Sequence, residues 1–117
     1  MKNNKISFIC PISKKNNLLD QINKYIIKKN YIGEIIFIIF DYKNIDIIEI
    51  DNFIYNNHNN NINFNIIWYK STYMNSIIYA LNSVLYDDIS IINTTNINKI
   101  KILTKEKIRK IYNKKNN

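Results

Sequence analysis

Glycine, proline, cysteine, tryptophan, arginine and histidine each occur only once in this chain of 117 residues. The single glycine, Gly33, excludes a P-loop and a G-x-G-x-x-G turn, because both need several glycines to bring backbone amides close to phosphate. The single cysteine, Cys10, excludes an intrachain disulfide and leaves a cysteine-based zinc site without enough ligands. The lack of a cysteine pair favours a reducing, intracellular setting.

Residues that often carry catalysis are few and poorly placed. His58 lies in the asparagine-rich tract of residues 56–61, and we interpret it as an exposed loop residue rather than a general base or metal ligand. Cys10 ends the first predicted strand without a histidine nearby, so it is interpreted as a buried apolar residue rather than a nucleophile. Asp87 and Asp88 precede a strand and are interpreted as turn residues.

Long apolar runs are also absent. No segment approaches the roughly 18 apolar residues of a transmembrane helix, and the first residues lack the pattern of a secretory signal. We therefore expect no membrane partner and a location in the cytosol or an organelle interior.

Three residue types dominate what is present: 29 Ile, 23 Asn and 16 Lys. All three have codons made only of A and T, which points to an AT-rich genome. The net charge is +8, yet nearly all of it is scattered Lys, whereas nucleic-acid-binding surfaces concentrate Arg for bidentate contacts. A solvated basic surface is therefore favoured over an RNA partner, with the run from Lys99 to Lys115 as the strongest exception.

Apolar periodicity predicts four strands alternating with four helices in one domain over residues 1–112, followed by a disordered basic tail, 113–117. The predicted strands are Lys5–Cys10, Glu34–Phe40, Phe64–Tyr69 and Asp88–Ile92. The predicted helices are Leu18–Lys29, Ile47–Tyr55, Tyr73–Leu85 and Thr104–Tyr112.

This βαβαβαβα order predicts the fold class: an α/β, three-layer, Rossmann-like domain with about four parallel strands and helices on both faces. Glu34–Phe40 has no polar alternation after its first residue and is predicted to be a central strand. Pro11 is expected to end the first strand, and Gly33 to serve the connection after the first helix. Ligands in such folds bind at the carboxyl ends of the strands.

Two of the loops at those ends carry groups suited to an anion. Ser13, Lys14 and Lys15 follow the first strand and offer a hydroxyl and two ammonium groups. Thr72 or Ser71 is expected to cap the third helix, whose first-turn amides favour an anion. Ser76 lies one turn inside that helix, where capping does not explain it.

Two segments resemble the nucleotide-diphospho-sugar transferase superfamily, which has the GT-A fold, and especially its methylerythritol-phosphate cytidylyltransferases. N-Y-I-G-E-I-I-F-I-I at Asn30–Ile39 resembles the family's Y-I-D-E-I-I-V-V-V. Residues 65–94 resemble its K-I-V-x-G-G-x-T-R-Q-x-S-V-x-x-A-L followed by D-D-I-V-L-I-H-D. The resemblance places Ser76 on the serine that helps hold the cytosine nucleotide. Together with the loop chemistry, it predicts a cytidine nucleotide bound through Ser13, Thr72 and Ser76, with Lys14 and Lys15 stabilising developing charge if nucleotidyl transfer occurs.

The departures from the family concern the same chemistry. The family's arginine falls on Tyr73, its metal-binding aspartate falls on Thr94, and the chain is about half the usual length. Mg²⁺ is implied as cofactor for an active enzyme, but no ligand is evident and we assign no metal residue. An inactive remnant, or a subunit completed by a homodimer partner or another protein, therefore stands beside an active transferase.

Three alternatives remain open. I-S-F-I-C-P-I-S resembles the V-S-I-I-I-P-x-Y opening of family 2 glycosyltransferases, whose D-x-D metal motif would fall on Asn93–Thr95. Type II dehydroquinases have segments that can be aligned, with gaps, on Ser71–Tyr73 and Thr94–Ile97, but their histidines are missing. The third is a non-enzymatic basic module that binds RNA or a protein partner through the last helix and exposed tyrosines.

Overall fold

Short runs of isoleucine and phenylalanine form the strands of one parallel sheet. The fold is described from a computed structural model, which covers residues 4–13, 17–43, 45–58 and 61–113. The strands are β1 Lys5–Ile12, β2 Ile32–Ile39, β3 Ile62–Trp68 and β4 Asp88–Ile91. The helices are α1 Leu18–Ile22 with a π-helical continuation Asn23–Ile27, α2 Ile47–Asn56, α3 Tyr73–Ala80 with a 3₁₀ turn Leu81–Ser83, and α4 Lys105–Asn113.

The sheet has the strand order β3-β2-β1-β4, and every neighbouring pair is parallel. β1 and β2 are therefore interior strands, as the unbroken apolar run in β2 predicts. The alternation of strands and helices produces this arrangement because parallel neighbours need a crossover between them. The predicted α/β class with four parallel strands is confirmed.

Each face of the sheet is covered by helices. One face packs against α1 and α2 through buried residues that include Phe8, Phe37 and Ile50. The opposite face packs against α3 and α4 through Ile77 and Ile108, among others. The molecule thus has three layers, and Ile92 and Ile97, which follow β4 at the carboxyl edge, are buried in the first of these cores. Among the described residues, no helix has the length and apolar character needed to cross a bilayer.

Pro11 does not end β1, contrary to the sequence prediction. It lies within the strand and pairs with Ile38 of β2. The last β1–β4 pair is Ile9 with Ile91, and the amide of Ile92 donates to the carbonyl of Ile9. Backbone groups alternate in direction along a strand, so the nitrogen of Pro11, two residues after Ile9, also points toward the β4 side. At this level β4 has already ended. The missing N–H of proline therefore leaves no ladder bond unmade.

Gly33 also differs from its predicted role, since it lies inside β2 and pairs with Ile6. Its φ is +146°, and a Cβ on it would come within 2.0 Å of the Ile6 carbonyl oxygen. Asn30, at φ +62°, occupies the left-handed position after the first helix instead. Asparagine tolerates that conformation, so no glycine is needed there. Gly33 instead allows the close contact between β2 and β1.

Threonine side chains cap the starts of α3 and α4, and the cap predicted for α3 is confirmed. Thr72 Oγ1 accepts from the Asn75 amide at 3.1 Å, and Thr104 Oγ1 accepts from the Lys107 amide at 3.2 Å. At α1, Asn17 holds the N-cap position, but its side chain makes no capping bond. α4 extends to Asn113, one residue past the predicted domain limit, and residues 114–117 of the predicted tail lie outside the described residues.

Candidate functional site

The strand order creates a switch point between β1 and β4. After β1 the chain crosses to β2 over the α1–α2 face, and after β3 it crosses to β4 over the α3 face. Loops leaving the carboxyl ends of β1 and β4 therefore diverge, and sheets of this topology generally bind ligands in the crevice between such loops. This is the place in such a sheet where a ligand can reach backbone and loop groups from two strands at once.

Backbone hydrogen bonds join the first three loops at the carboxyl edge. The Phe40 amide donates to the Ile12 carbonyl at 3.1 Å, and the Ser71 amide donates to the Phe40 carbonyl at 3.0 Å. Ser13, which directly follows Ile12, and Thr72, which follows Ser71, are thus held at the same edge. They are about two strand spacings apart, roughly 10 Å.

The fourth loop is organised by Asn93. Its side-chain oxygen accepts from the Thr95 amide at 3.0 Å, the Thr95 hydroxyl at 2.6 Å and the Asn96 amide at 3.1 Å. Asn96 returns the contact by accepting from the Asn93 amide at 2.9 Å. These bonds fix the turn after β4 without any ligand.

Tyr73 joins this turn to the other loops. The Asn93 amide nitrogen Nδ2 donates to the Tyr73 hydroxyl oxygen at 3.0 Å, and the Tyr73 ring meets Phe40 edge to face, with centroids 5.8 Å apart. Because β1 lies between β2 and β4, a side chain that contacts both Phe40 and Asn93 passes the carboxyl end of β1. Tyr73 therefore lies beside the point where Ser13 leaves the sheet.

The Tyr73 hydroxyl keeps its proton at neutral pH. Burial raises its pKa above the ordinary tyrosine value, and the hydrogen bond from Asn93 only partly offsets that rise. Since the hydroxyl oxygen accepts from Asn93 and no described residue accepts the hydroxyl proton, this proton can be donated to a ligand.

The predicted site residues are only partly brought together. Ser13 is half-buried at the carboxyl edge, and Thr72 is exposed there, with its oxygen engaged in capping. Ser76 is buried, and its hydroxyl donates to the Tyr73 carbonyl at 2.6 Å, so it faces its own helix. Lys14 and Lys15 lie outside the described residues.

Cys10 and His58 take the places expected from sequence, whereas Asp88, interpreted as a turn residue, lies in β4. Cys10 is fully buried, and burial raises the pKa of its thiol far above the range of a reactive cysteine. His58 is exposed after α2, and its Nδ1 lies 2.5 Å from the Tyr55 carbonyl oxygen. Asp88 begins β4 at the amino edge, away from the switch point.

The residues at the implied metal position do not fit Mg²⁺. The family's aspartates would fall on Asn93–Thr95, where no carboxylate is present. The Asn93 oxygen already accepts three hydrogen bonds, and the Thr95 hydroxyl is one of its donors. Within the described ranges, no cluster of three metal-ligating side chains occurs. Mg²⁺ prefers carboxylate and water oxygens in octahedral geometry, so we derive no reaction step through a metal.

Sequence reasoning missed a buried polar cluster at the opposite edge. Glu34 is only 4% exposed. Its Oε2 accepts from the Ser7 hydroxyl at 2.6 Å and from the Leu85 amide at 2.7 Å, while Ser7 Oγ accepts from the Tyr86 amide at 3.2 Å. The sequence signal for this cluster was the position of Glu34 at the start of an apolar strand. These hydrogen bonds hold the turn before β4 against the sheet. The polar groups of the cluster serve as hydrogen-bond partners for one another.

A hollow of about 300 Å³ lies away from the switch point and is open to solvent between α1 and α2. It is lined by Leu19, Asp20, Asn23, Phe53, Asn56 and Asn57. Asp20 is its one charged side chain, so this hollow does not suit a phosphate.

Comparisons with protein-family models, with curated proteins and with solved structures find no match to this chain.

Proposed function

We propose that this chain binds a pyrimidine nucleotide at the carboxyl edge, in the crevice between β1 and β4. The observation that carries the proposal is the position of the Tyr73 hydroxyl, which accepts from Asn93 in the loop after β4 while the Tyr73 ring contacts Phe40 after β2. Ligands in this type of sheet bind beside these loops. The resemblance to cytidylyltransferases supports a cytidine nucleotide as the first ligand to test. Nucleotidyl transfer would need carboxylates that the residues around Asn93 lack, so binding is the proposed activity of the isolated chain.

Each group has a distinct part in this proposal. The Tyr73 hydroxyl donates to a carbonyl of the base, an acceptor that every pyrimidine presents. Ser13 and the first amides of α3, which follow Thr72, meet the sugar and phosphates. Lys14 and Lys15, placed by sequence in the loop after β1, neutralise the phosphate charge. Ser76 supports the first turn of α3 and does not contact the ligand.

Thermal stabilisation tests the proposal. At ten times its dissociation constant, CTP should raise the melting temperature by roughly 5 °C, whereas a ligand that does not bind leaves it unchanged. CDP and UTP should act similarly and ATP more weakly. The proposal is wrong if no cytidine or uridine nucleotide stabilises the protein at millimolar concentration.

Variants locate the effect. Tyr73→Phe keeps the ring against Phe40 but removes the hydroxyl, and should weaken CTP binding about tenfold, the value of one buried hydrogen bond of about 1.4 kcal/mol. Asn93→Asp should do the same, because the new carboxylate accepts the Tyr73 proton. The double variant Lys14→Ala/Lys15→Ala should weaken binding further. The matched control is Lys28→Ala/Lys29→Ala, an exposed lysine pair at the other edge of the sheet, which should bind CTP like the unmodified chain.

RNA binding through α4 is the second candidate, favoured by exposed cations on that helix. Lys107, Arg109 and Lys110 are exposed, and only Lys110 has a described ion pair, 3.4 Å from Glu106. An RNA site there should lose affinity steeply as salt rises. Retention on RNA at low salt that disappears in Lys107→Ala/Arg109→Ala would support it, and failure of the unmodified chain to bind RNA at low salt would exclude it.

A further inference from the structure

The two edges of the sheet are treated differently. On the outer side of β4, the Ile89 amide donates to the Leu103 carbonyl at 2.9 Å and the Leu103 amide donates to the Ile89 carbonyl at 2.7 Å. The Ile91 carbonyl accepts from Asn96 Nδ2 at 3.0 Å. The chain itself therefore closes this edge, and no further strand can add there without displacing residues 96–103.

The outer side of β3 is open. The Asn61 carbonyl and the Tyr69 amide both bond to β2, so the odd-numbered residues of β3 face β2 and the even-numbered ones face outward. In the described part of the chain, the outward backbone groups have no hydrogen-bond partner; they belong to Ile62, Phe64, Ile66 and Trp68. An open edge of this length is a template for another strand.

β3 also lacks the features that normally prevent such pairing. It contains no proline and no charged side chain, and its register with β2 runs without a bulge from Ile62 to Trp68. The uncharged stretch is wider still, since residues 52–69 contain no Asp, Glu, Lys or Arg in a chain of net charge +8. At its end Trp68 is 49% exposed, although Tyr42 meets it edge to face at 5.2 Å between centroids.

We propose that β3 pairs antiparallel with β3 of a second copy of this chain, around a two-fold axis at Asn65. This register opposes Phe64 with Ile66 of the second copy, and Ile62 with Trp68 of the second copy. All four outward residues on each chain then gain backbone partners, and the two sheets become one of eight strands. The exposed Trp68 ring comes to lie beside an aliphatic side chain, which explains its exposure in a single chain.

The lack of charge along this edge favours a second copy over a nucleic acid or an acidic peptide. Two molecules that each carry +8 repel one another, so they can meet best along a stretch without charge. A nucleic acid or an acidic peptide would instead be attracted to the lysines elsewhere on the surface. Asn65 meets itself on the axis, and an amide suits this position because it both donates and accepts hydrogen bonds.

Cysteine cross-linking tests the register. Asn65 is exposed, and its backbone N–H and C=O point toward β2 rather than toward the second copy. In this register it lies opposite Asn65 of the second copy as a non-hydrogen-bonded pair, with Cα atoms about 4.5 Å apart. Asn65→Cys should therefore form a disulfide-linked dimer on mild oxidation. Asn63→Cys, equally exposed, would be roughly 13 Å from its copy and should not. The native Cys10 is fully buried and does not compete. Equal cross-linking of the two variants would overturn the register.

Sedimentation over a wide range of concentrations tests the interface itself. The unmodified chain should show a reversible dimer, and Asn65→Lys should weaken the association about fivefold or more, because two ammonium groups would meet on the axis. Asn63→Lys adds the same charge away from the axis and should change it less. Circular dichroism should show that both variants keep the fold. A strictly monomeric unmodified chain, or a dimer that Asn65→Lys leaves unchanged, would overturn the proposal without bearing on nucleotide binding.

Discussion

At the scale of single residues, the roles of Gly33 and Pro11 in the sheet depend on the neighbouring strands. Gly33 is the clearest case, because β1 passes directly over the place where its Cβ would be. The sequence prediction assigns Gly33 to the connection after the first helix, whereas the need for glycine comes from Ile6 of a different strand. Pro11 is likewise explained by a different strand, because β1 can contain a proline at this position only where β4 has already ended.

Substitution of this glycine should be severe. In Gly33→Ala the new Cβ would lie 2.0 Å from a backbone oxygen that cannot move alone, at a φ of +146° that strains any L-residue. We expect a loss of about 3 kcal/mol or more in the free energy of unfolding, measured by urea denaturation.

A control comes from β4, on the other side of β1. Ser90 is buried in β4, and its hydroxyl has no hydrogen-bond partner among the described residues. Ser90→Ala should leave the free energy of unfolding unchanged or raise it by up to about 1 kcal/mol, because an unpaired buried hydroxyl is removed. A Gly33→Ala variant as stable as Ser90→Ala would contradict the close strand contact.

Tyr73 gives a pH-dependent prediction at the same scale. Burial raises its pKa, and that of Tyr112, in the folded protein above the value near 10 of an unfolded tyrosine. The unfolded state therefore releases these protons first, so the stability is fully present below pH 10 and falls as pH rises through the folded pKa values. Urea denaturation at neutral and alkaline pH should show this fall, and Tyr73→Phe should reduce it. An unchanged slope in that variant would contradict the burial of the hydroxyl.

At the scale of elements, the sequence predicts strands and helices well because both faces of the sheet are covered. Apolar runs without alternation mark β1 and β2, and threonines whose hydroxyls cap the first turn mark the starts of α3 and α4. The strand order is not contained in these local patterns, since a parallel neighbour can add on either side of β1. The Tyr73–Asn93 contact follows from that order, which is why sequence reasoning selected Thr72 and Ser76 on either side of Tyr73 instead.

The turn between α3 and β4 depends on one carboxylate. Glu34→Ala would leave the Leu85 amide and the Ser7 hydroxyl without their shared acceptor inside the protein. We expect a loss of about 2 kcal/mol in the free energy of unfolding. Glu106→Ala removes an exposed carboxylate from an ion pair on α4 and should cost less than about 0.5 kcal/mol. Equal effects of the two variants would show that Glu34 does not fasten this turn.

At the scale of the whole molecule, compactness and charge oppose one another. The Cα radius of gyration is 13.5 Å, which matches the roughly 13.4 Å expected for one domain of this length. A net charge of +8 is confined within that radius. The resulting repulsion destabilises the folded state, most strongly at low ionic strength.

Salt should therefore stabilise the folded chain. Raising NaCl about tenfold from low ionic strength should raise the melting temperature, because screening weakens repulsion among the exposed lysines. Each substitution in Lys28→Glu/Lys29→Glu removes one positive charge and adds one negative charge, so the net charge falls from +8 to +4. That variant should depend less on salt. Equal salt dependence in both proteins would show that general repulsion is not the cause.

The pairing of Leu103 with Ile89 of β4 has a consequence for synthesis on the ribosome. Residues of β1, β2 and β3 emerge early, and their three strands can pair while translation continues. β4 follows β3 in the sequence, pairs with β1 with Ile6 opposite Asp88, and is then secured by Leu103. One side of β1 thus remains uncovered until residues 88–103 have left the exit tunnel. Nascent chains stalled just before Leu103 are expected to be the species most in need of a chaperone.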